Sequence, residues 1–205
     1  MTEDTLSKGE RTQQTIEEAA YELFLEQGYS ATSMRRIAER AGLALGGIYN
    51  HFSSKEEIFE AIILDKHPYK QILPVILSAP GNTLTDFVHN AAHALVDELG
   101  KRPDFIRLMF IEIVEFNSKH MPVFFDEIFP EFLPLVQRFQ APDGELRPIP
   151  LPLLLRAFLG MFFSFYMTEL ITERIDIPEM HENALDSFVE IFLHGILVEK
   201  ETNHV

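Results

Sequence analysis

The chain has 205 residues, no cysteine, and 17 Lys+Arg against 32 Asp+Glu, a formal net charge of −15. That length can bury a core without staples, and the missing thiols exclude disulfides, thiolate nucleophiles and cysteine-ligated zinc. The acidic total opposes long-range attraction of the whole molecule to nucleic acid or anionic membrane.

The opening segment, MTEDTLSKGERTQQ, is acidic and polar, so no secretory signal is expected and the expected location is cytoplasmic. Residues 10–27 then place Ile16, Ala19, Ala20, Leu23 and Phe24 on one helical stripe, and Gly28 stops the helix. A second helix is expected at about 34–41, closed by Gly42, and a very short third at about 45–51. A fourth runs from Lys55 to about Leu64, before Pro68 and Pro74 disturb the pattern. Further helices are expected at 84–99, 103–118, 122–139, 151–174 and 181–199. The breakers between them are Pro80-Gly81, Gly100 with Pro103, Pro122, and Pro142-Asp143-Gly144. No stretch alternates as a strand would, so the expected fold is all-α.

From Ile149 to Met167 only Arg156 and Ser164 interrupt an apolar run long enough to span a bilayer. Pro150 and Pro152 crowd its start and Arg156 lies inside it. A buried helix of a soluble protein is the expectation, with no membrane partner.

Charge is unevenly distributed. Between Gly28 and Lys55 the basic residues Arg35, Arg36, Arg40 and Lys55 face only Glu39, a net +3, so the rest of the chain totals −18. Inside this basic island Ala38, Gly42 and Ile48 stand in a spacing with a mechanism. In a helix-turn-helix the first position is small where two helices cross, the second is a left-handed glycine, and the third plugs the gap between helices.

The run Gly28-Tyr29-Ser30-Ala31-Thr32-Ser33-Met34-Arg35-Arg36-Ile37-Ala38-Glu39-Arg40-Ala41-Gly42, followed by Gly46-Gly47-Ile48-Tyr49-Asn50-His51-Phe52-Ser53-Ser54-Lys55-Glu56, resembles the DNA-binding region of TetR/AcrR-type transcriptional regulators. The resemblance covers about residues 10–65. It implies an N-terminal three-helix helix-turn-helix DNA-binding unit, placed at 1–55. It also implies a larger helical C-terminal effector-binding and dimerisation domain, placed at 56–205.

The residues then expected against double-stranded operator DNA are Thr32, Ser33, Arg35, Arg36, Ala44, Leu45, Gly46, Tyr49, Asn50, His51 and Lys55. Ser33 suits the N-cap of the second helix with Arg36 at N3, where a cation opposes the helix dipole unless an anion lies opposite. Tyr49 and His51 resemble the family's phosphate-contacting aromatic and imidazole, and Lys55 the lysine that opens the fourth helix at a phosphate. Gly46-Gly47 costs a helix about 2 kcal/mol but permits close approach of backbone to DNA. Two positions depart from the family pattern. Ala44 removes a hydroxyl cap, and Leu45 replaces a polar residue and offers contact with a thymine methyl.

The helix at 103–118 is apolar nearly all round, yet contains Glu112, which must be paired, raised in pKa, exposed on one narrow side or turned to a ligand. Phe105, Met109, Phe110, Glu112, Phe116, Phe162 and Tyr166 are the candidates for a pocket holding a small, hydrophobic effector, with Phe and Met from 122–135 adding to its wall. The resemblance implies a homodimer through the last two long helices. Gly160, Ser164 and Thr168 on one, with Leu185, Phe188, Phe192 and Ile196 on the other, are its candidates, although packing within one subunit explains the same stripes.

No enzyme is expected. His89 and His93 have metal-ligand spacing with Asp97 one turn on, but they fall on the polar face of their helix, so no metal or cofactor site is assigned. The expectation is a homodimeric repressor released from its operator by a small effector. The alternative is a ligand-binding helical protein of the same fold with weak or lost DNA binding.

Overall fold

The computed structural model describes residues 7–67, 69–122, 126, 129–132, 134, 146–172 and 174–197. Among these the fold is all-α, with one isolated antiparallel bridge between Leu146 and Leu197. The helices are α1 Lys8–Gln27, α2 Met34–Arg40, α3 Leu45–Ile48, α4 Lys55–Lys66, α5 Tyr69–Leu77, α6 Leu84–Gly100, α7 Pro103–Phe116, α8 Leu151–Thr172 and α9 Ala184–Ile196. They form two compact units: residues 1–68 with 102–127, and residues 69–101 with 128–205. By packing, therefore, α4 and α7 lie with α1–α3, which differs from the functional boundary expected after residue 55.

In the first unit, a capping box opens α1: Ser7 Oγ accepts from the Glu10 amide and the Glu10 carboxylate accepts from the Ser7 amide. Its stripe is buried as the spacing requires. Ile16, Ala20 and Phe24 join Ile37 of α2, Ile48 of α3, and Ile58, Phe59 and Ile62 of α4, none more than 1% exposed. Each Ile or Phe so buried contributes about 1.5–3 kcal/mol, which holds together helices too short to stand alone.

Helix α7 adds Leu108 to this core and buries Glu112. It is not buried all round, since Phe110, Ile113 and Val114 remain exposed. It also ends two residues early, because Asn117 and Ser118 take the left-handed conformation (φ 52° and 61°).

The second unit packs α5, α6, α8 and α9 around Val88, Ala91, Phe158 and Val189, all fully buried. Helix α5 was not expected. Pro74 lies inside it, but one lost hydrogen bond is offset by burial of Ile72, Leu73 and Ile76. Helix α8 departs from expectation in burial. It buries only the stripe Leu154, Phe158, Phe162 and Phe165, while Leu153, Leu159, Phe163, Leu170 and Ile171 stay exposed.

His89 and His93 lie beside carboxylates of α9, with Nε2 of His89 2.9 Å from Glu190 and Nε2 of His93 2.7 Å from Asp186, and His93 stays exposed. Helix α9 starts later than expected, after a 3-10 turn at Pro178–Met180 and a left-handed Asn183. Most of the helix expected at 122–139, and the turn at 141–144, lies outside the described residues. A 3-10 turn occupies Phe129–Phe132.

Candidate nucleic-acid interface

The helix-turn-helix is set by short-range chemistry. Ser33 Oγ accepts from the Arg36 amide at 3.3 Å and so starts α2. At the other end Gly42, at φ 68°, lets its own amide reach Glu39 O and the Leu43 amide reach Ala38 O, a Schellman arrangement. Ala38 is 2% exposed where α2 crosses its neighbours, and Ile48 is fully buried as the plug. The three positions singled out by spacing thus hold the roles the motif requires.

This packing turns a defined set of side chains outward. On α2 these are Ser33, Arg35 and Arg36; on α3 and its flanks they are Ala44, Leu45, Gly46, Tyr49 and Asn50, with His51 half-buried. Leu45 and Tyr49 are large side chains left 41% and 53% exposed, without an internal reason for it. Ala44 gives α3 no side-chain cap, as its methyl dictates. An added Cβ at Gly46 or Gly47 would meet nothing within 4 Å, so no internal contact demands either glycine.

Two of the expected residues are engaged inward. Thr32 is 3% exposed; its hydroxyl donates to Gly28 O at 2.9 Å and accepts from Gln27 Nε2 at 2.9 Å, which makes it a strut of the α1–α2 turn. Lys55 Nζ donates to Tyr29 O at 2.6 Å and Thr32 O at 2.7 Å, and stands 3.9 Å from the centre of the Tyr29 ring. Burial pushes its ammonium below the usual lysine range. The same burial, with Glu56 and Glu115 nearby, pushes the Tyr29 phenol up to about 12.

The basic island is also weaker than its formal charge. Arg40 is held by Glu22 at 2.8 Å and bidentately by Glu26 at 2.7 and 3.0 Å, and Arg35 pairs with Glu39 at 3.1 Å. Arg36 makes no ion pair within 4 Å among the described residues. What remains is a shallow, exposed face of two arginines, hydroxyl, amide, phenol, imidazole and one leucine. Such a face can contact phosphates and base edges along a groove.

Residues 16–62 match the model of bacterial regulatory proteins of the tetR family. The matched segment is the DNA-binding region of TetR-family regulators. The chain is 38% identical over 69 residues to the HTH-type transcriptional regulator SrpR of Pseudomonas putida, an alignment that spans 33% of this chain and only 32% of SrpR. With the uncharacterized HTH-type transcriptional regulator YfiR of Bacillus subtilis it shares 27% identity over 188 residues, 85% of this chain and 89% of YfiR. A bacterial regulatory protein of the tetR family from Rhodococcus RHA1 has the same fold, with a TM-score of 0.65 at 20% identity, covering 95% of this chain and all of that one.

The effector-pocket candidates are divided between the two units. Phe105, Met109, Phe110, Glu112 and Phe116 lie in the first, Phe162 and Tyr166 in the second. Phe105 packs edge-on against His67, Phe116 stacks on Phe59 at 4.7 Å, and Met109 joins the same core. Glu112 is fully buried and accepts from the His120 amide and from Nδ1 of His120, both at 2.8 Å. That carboxylate is therefore paired with His120 just beyond the C-terminus of α7. Phe162, 3% exposed, packs on Phe158 in the second core, with Tyr166 half-buried beside it in sequence.

The dimer candidates divide as well. Leu185, Phe192 and Ile196 are buried inside the second unit, and Phe188 packs on Phe165, so these four serve the subunit's own core. Gly160, Ser164 and Thr168 remain exposed on α8.

Proposed function

We propose that this chain is a TetR-family regulator acting as a cytoplasmic homodimeric repressor, whose two α2–α3 faces read successive major grooves of an operator. The observation that carries this reading is the outward set Ser33, Arg35, Arg36, Leu45, Tyr49, Asn50 and His51 on a helix-turn-helix whose other face is fully buried. In this role Tyr49, His51 and Arg36 approach phosphates, while Leu45 and Asn50 reach base edges.

A second copy would cover the outer face of α8, where Leu159, Phe163, Leu170 and Ile171 surround Gly160, Ser164 and Thr168, together with Ile191 of α9, 74% exposed. Apolar side chains in such number along one 22-residue helix are unusual on a monomer. A small, hydrophobic effector suits the phenylalanine-rich second unit. Its binding would act by moving the two reading faces away from one DNA turn, about 34–36 Å.

Ala44, with the internal engagement of Arg40 and Lys55, favours a second reading, an effector-binding protein with weak DNA affinity. A gel shift with the DNA flanking its own gene separates the two. The repressor reading expects a discrete complex that Tyr49→Ala with Asn50→Ala abolishes; a wild-type protein that shifts that DNA no better than random duplex supports the second reading.

A further inference from the structure

Lys55 opens α4, and its ammonium has three protons to place. Two go to the carbonyls of Tyr29 and Thr32, at 2.6 and 2.7 Å, and the charge lies over the Tyr29 ring at 3.9 Å. These groups bracket the turn between α1 and α2. The Thr32 amide donates to the same Tyr29 carbonyl at 3.0 Å, so one oxygen holds both the turn and the lysine. Ser33, the next residue, caps α2 and fixes where Arg35 and Arg36 point.

Other contacts hold the same turn. Ser30 Oγ donates to Glu115 at 2.9 Å, and Tyr29 packs on Phe116 and Phe59. An ammonium so placed has little left to offer a phosphate.

We propose that Lys55 is a positioning residue for DNA recognition and not itself a phosphate ligand: it clamps the α1–α2 turn to the start of α4, and so sets the pose of α2 against the groove. This rests on the DNA-binding reading above, and it changes which residue does what within it. A lysine that neutralises a phosphate releases a counterion, which contributes about 0.9 to the slope of log K against log salt, or about 1.8 for a symmetric dimer. A lysine that clamps the turn contributes nothing to that slope, while its loss still weakens binding.

The test compares wild-type protein with Lys55→Met, which keeps the apolar stem and removes the ammonium. The probe is a duplex selected by the wild type from a random-sequence pool, titrated across salt at a temperature where both proteins are folded. The clamp predicts an affinity loss of about tenfold or more with an unchanged slope.

A slope lowered by about 1.8 would make Lys55 a phosphate ligand and overturn the proposal. Unchanged affinity would overturn it too, by leaving Lys55 a role in stability alone. Amide exchange tests the clamp without DNA. In Lys55→Met, or in Lys55→Gln if the first variant does not fold, the Thr32 amide should exchange at least about tenfold faster while α6 amides keep their rates. Unaltered protection of Thr32 would contradict the clamp. A wild type that selects no duplex would count against the DNA reading and leave the exchange result to decide the clamp.

Discussion

The imidazole of His67 is packed against Phe105, and burial lowers its pKa from 6.5 to about 3. The native state therefore refuses a proton that the unfolded chain accepts below its ordinary pKa of about 6.5. Stability from this site is complete above that value and falls as pH drops through the window from about 6.5 to 3, by roughly 1 kcal/mol per unit. Thermal unfolding of wild type and His67→Leu between pH 7.5 and 5 should show a shallower fall in Tm for the variant; parallel curves would contradict the assignment. Residue roles were legible in the sequence where they depend on neighbours in the chain. Ser33 and Gly42 are examples, since a cap and a left-handed turn are local. Lys55 and Thr32 were not legible in the same way. The carbonyls that hold Lys55 lie 26 and 23 residues away, and a polar side chain in a basic island carries no sign of which way it points.

Helix α3 is four residues long, has no side-chain cap and contains two glycines, so its own propensity cannot sustain it. Since a Cβ at Gly46 or Gly47 meets nothing within 4 Å, Gly47→Ala should raise stability by about 0.5–1 kcal/mol in chemical denaturation. The same change should weaken operator binding if backbone and DNA approach closely there; a destabilised variant would show that the glycine serves the fold. At the other end of this unit, His120→Ala removes the ring partner of the buried Glu112 carboxylate. It should cost about 3–5 kcal/mol, and more than the paired replacement Glu112→Leu with His120→Phe; a paired replacement at least as costly would contradict the penalty of an unpaired buried carboxylate. Element positions were mostly readable, because the apolar period and the glycine and proline stops are written in the chain. Helix α5 was missed for a physical reason: a proline inside a short helix reads as a stop, and only tertiary burial of Ile72, Leu73 and Ile76 outweighs it.

For the whole molecule, net charge and function point in different directions. A chain of −15 carries a reading face whose formal surplus of +3 shrinks further once Arg40 and Lys55 are engaged internally. Few phosphates are then neutralised per subunit, so non-specific affinity should be low and the salt slope shallow. The dimer stripes proposed from sequence show the limit of pattern reading. The α9 residues have the right spacing but face their own core, while the α8 residues stay exposed. Periodicity identifies a buried face without saying whether the burial is within a chain or between chains. Phe163→Glu should convert a dimer by light scattering into a species of 23.6 kDa, and a wild type already at that mass would refute the interface. The central claim is selective DNA reading by the α2–α3 face, and competition binding tests it most directly. The duplex flanking the protein's own gene is titrated against a scrambled duplex at physiological salt, with wild type and with Tyr49→Ala, Asn50→Ala. The account predicts a preference of about a thousandfold or more for the native duplex, lost in the double variant; equal affinity for both duplexes in the wild type would contradict it.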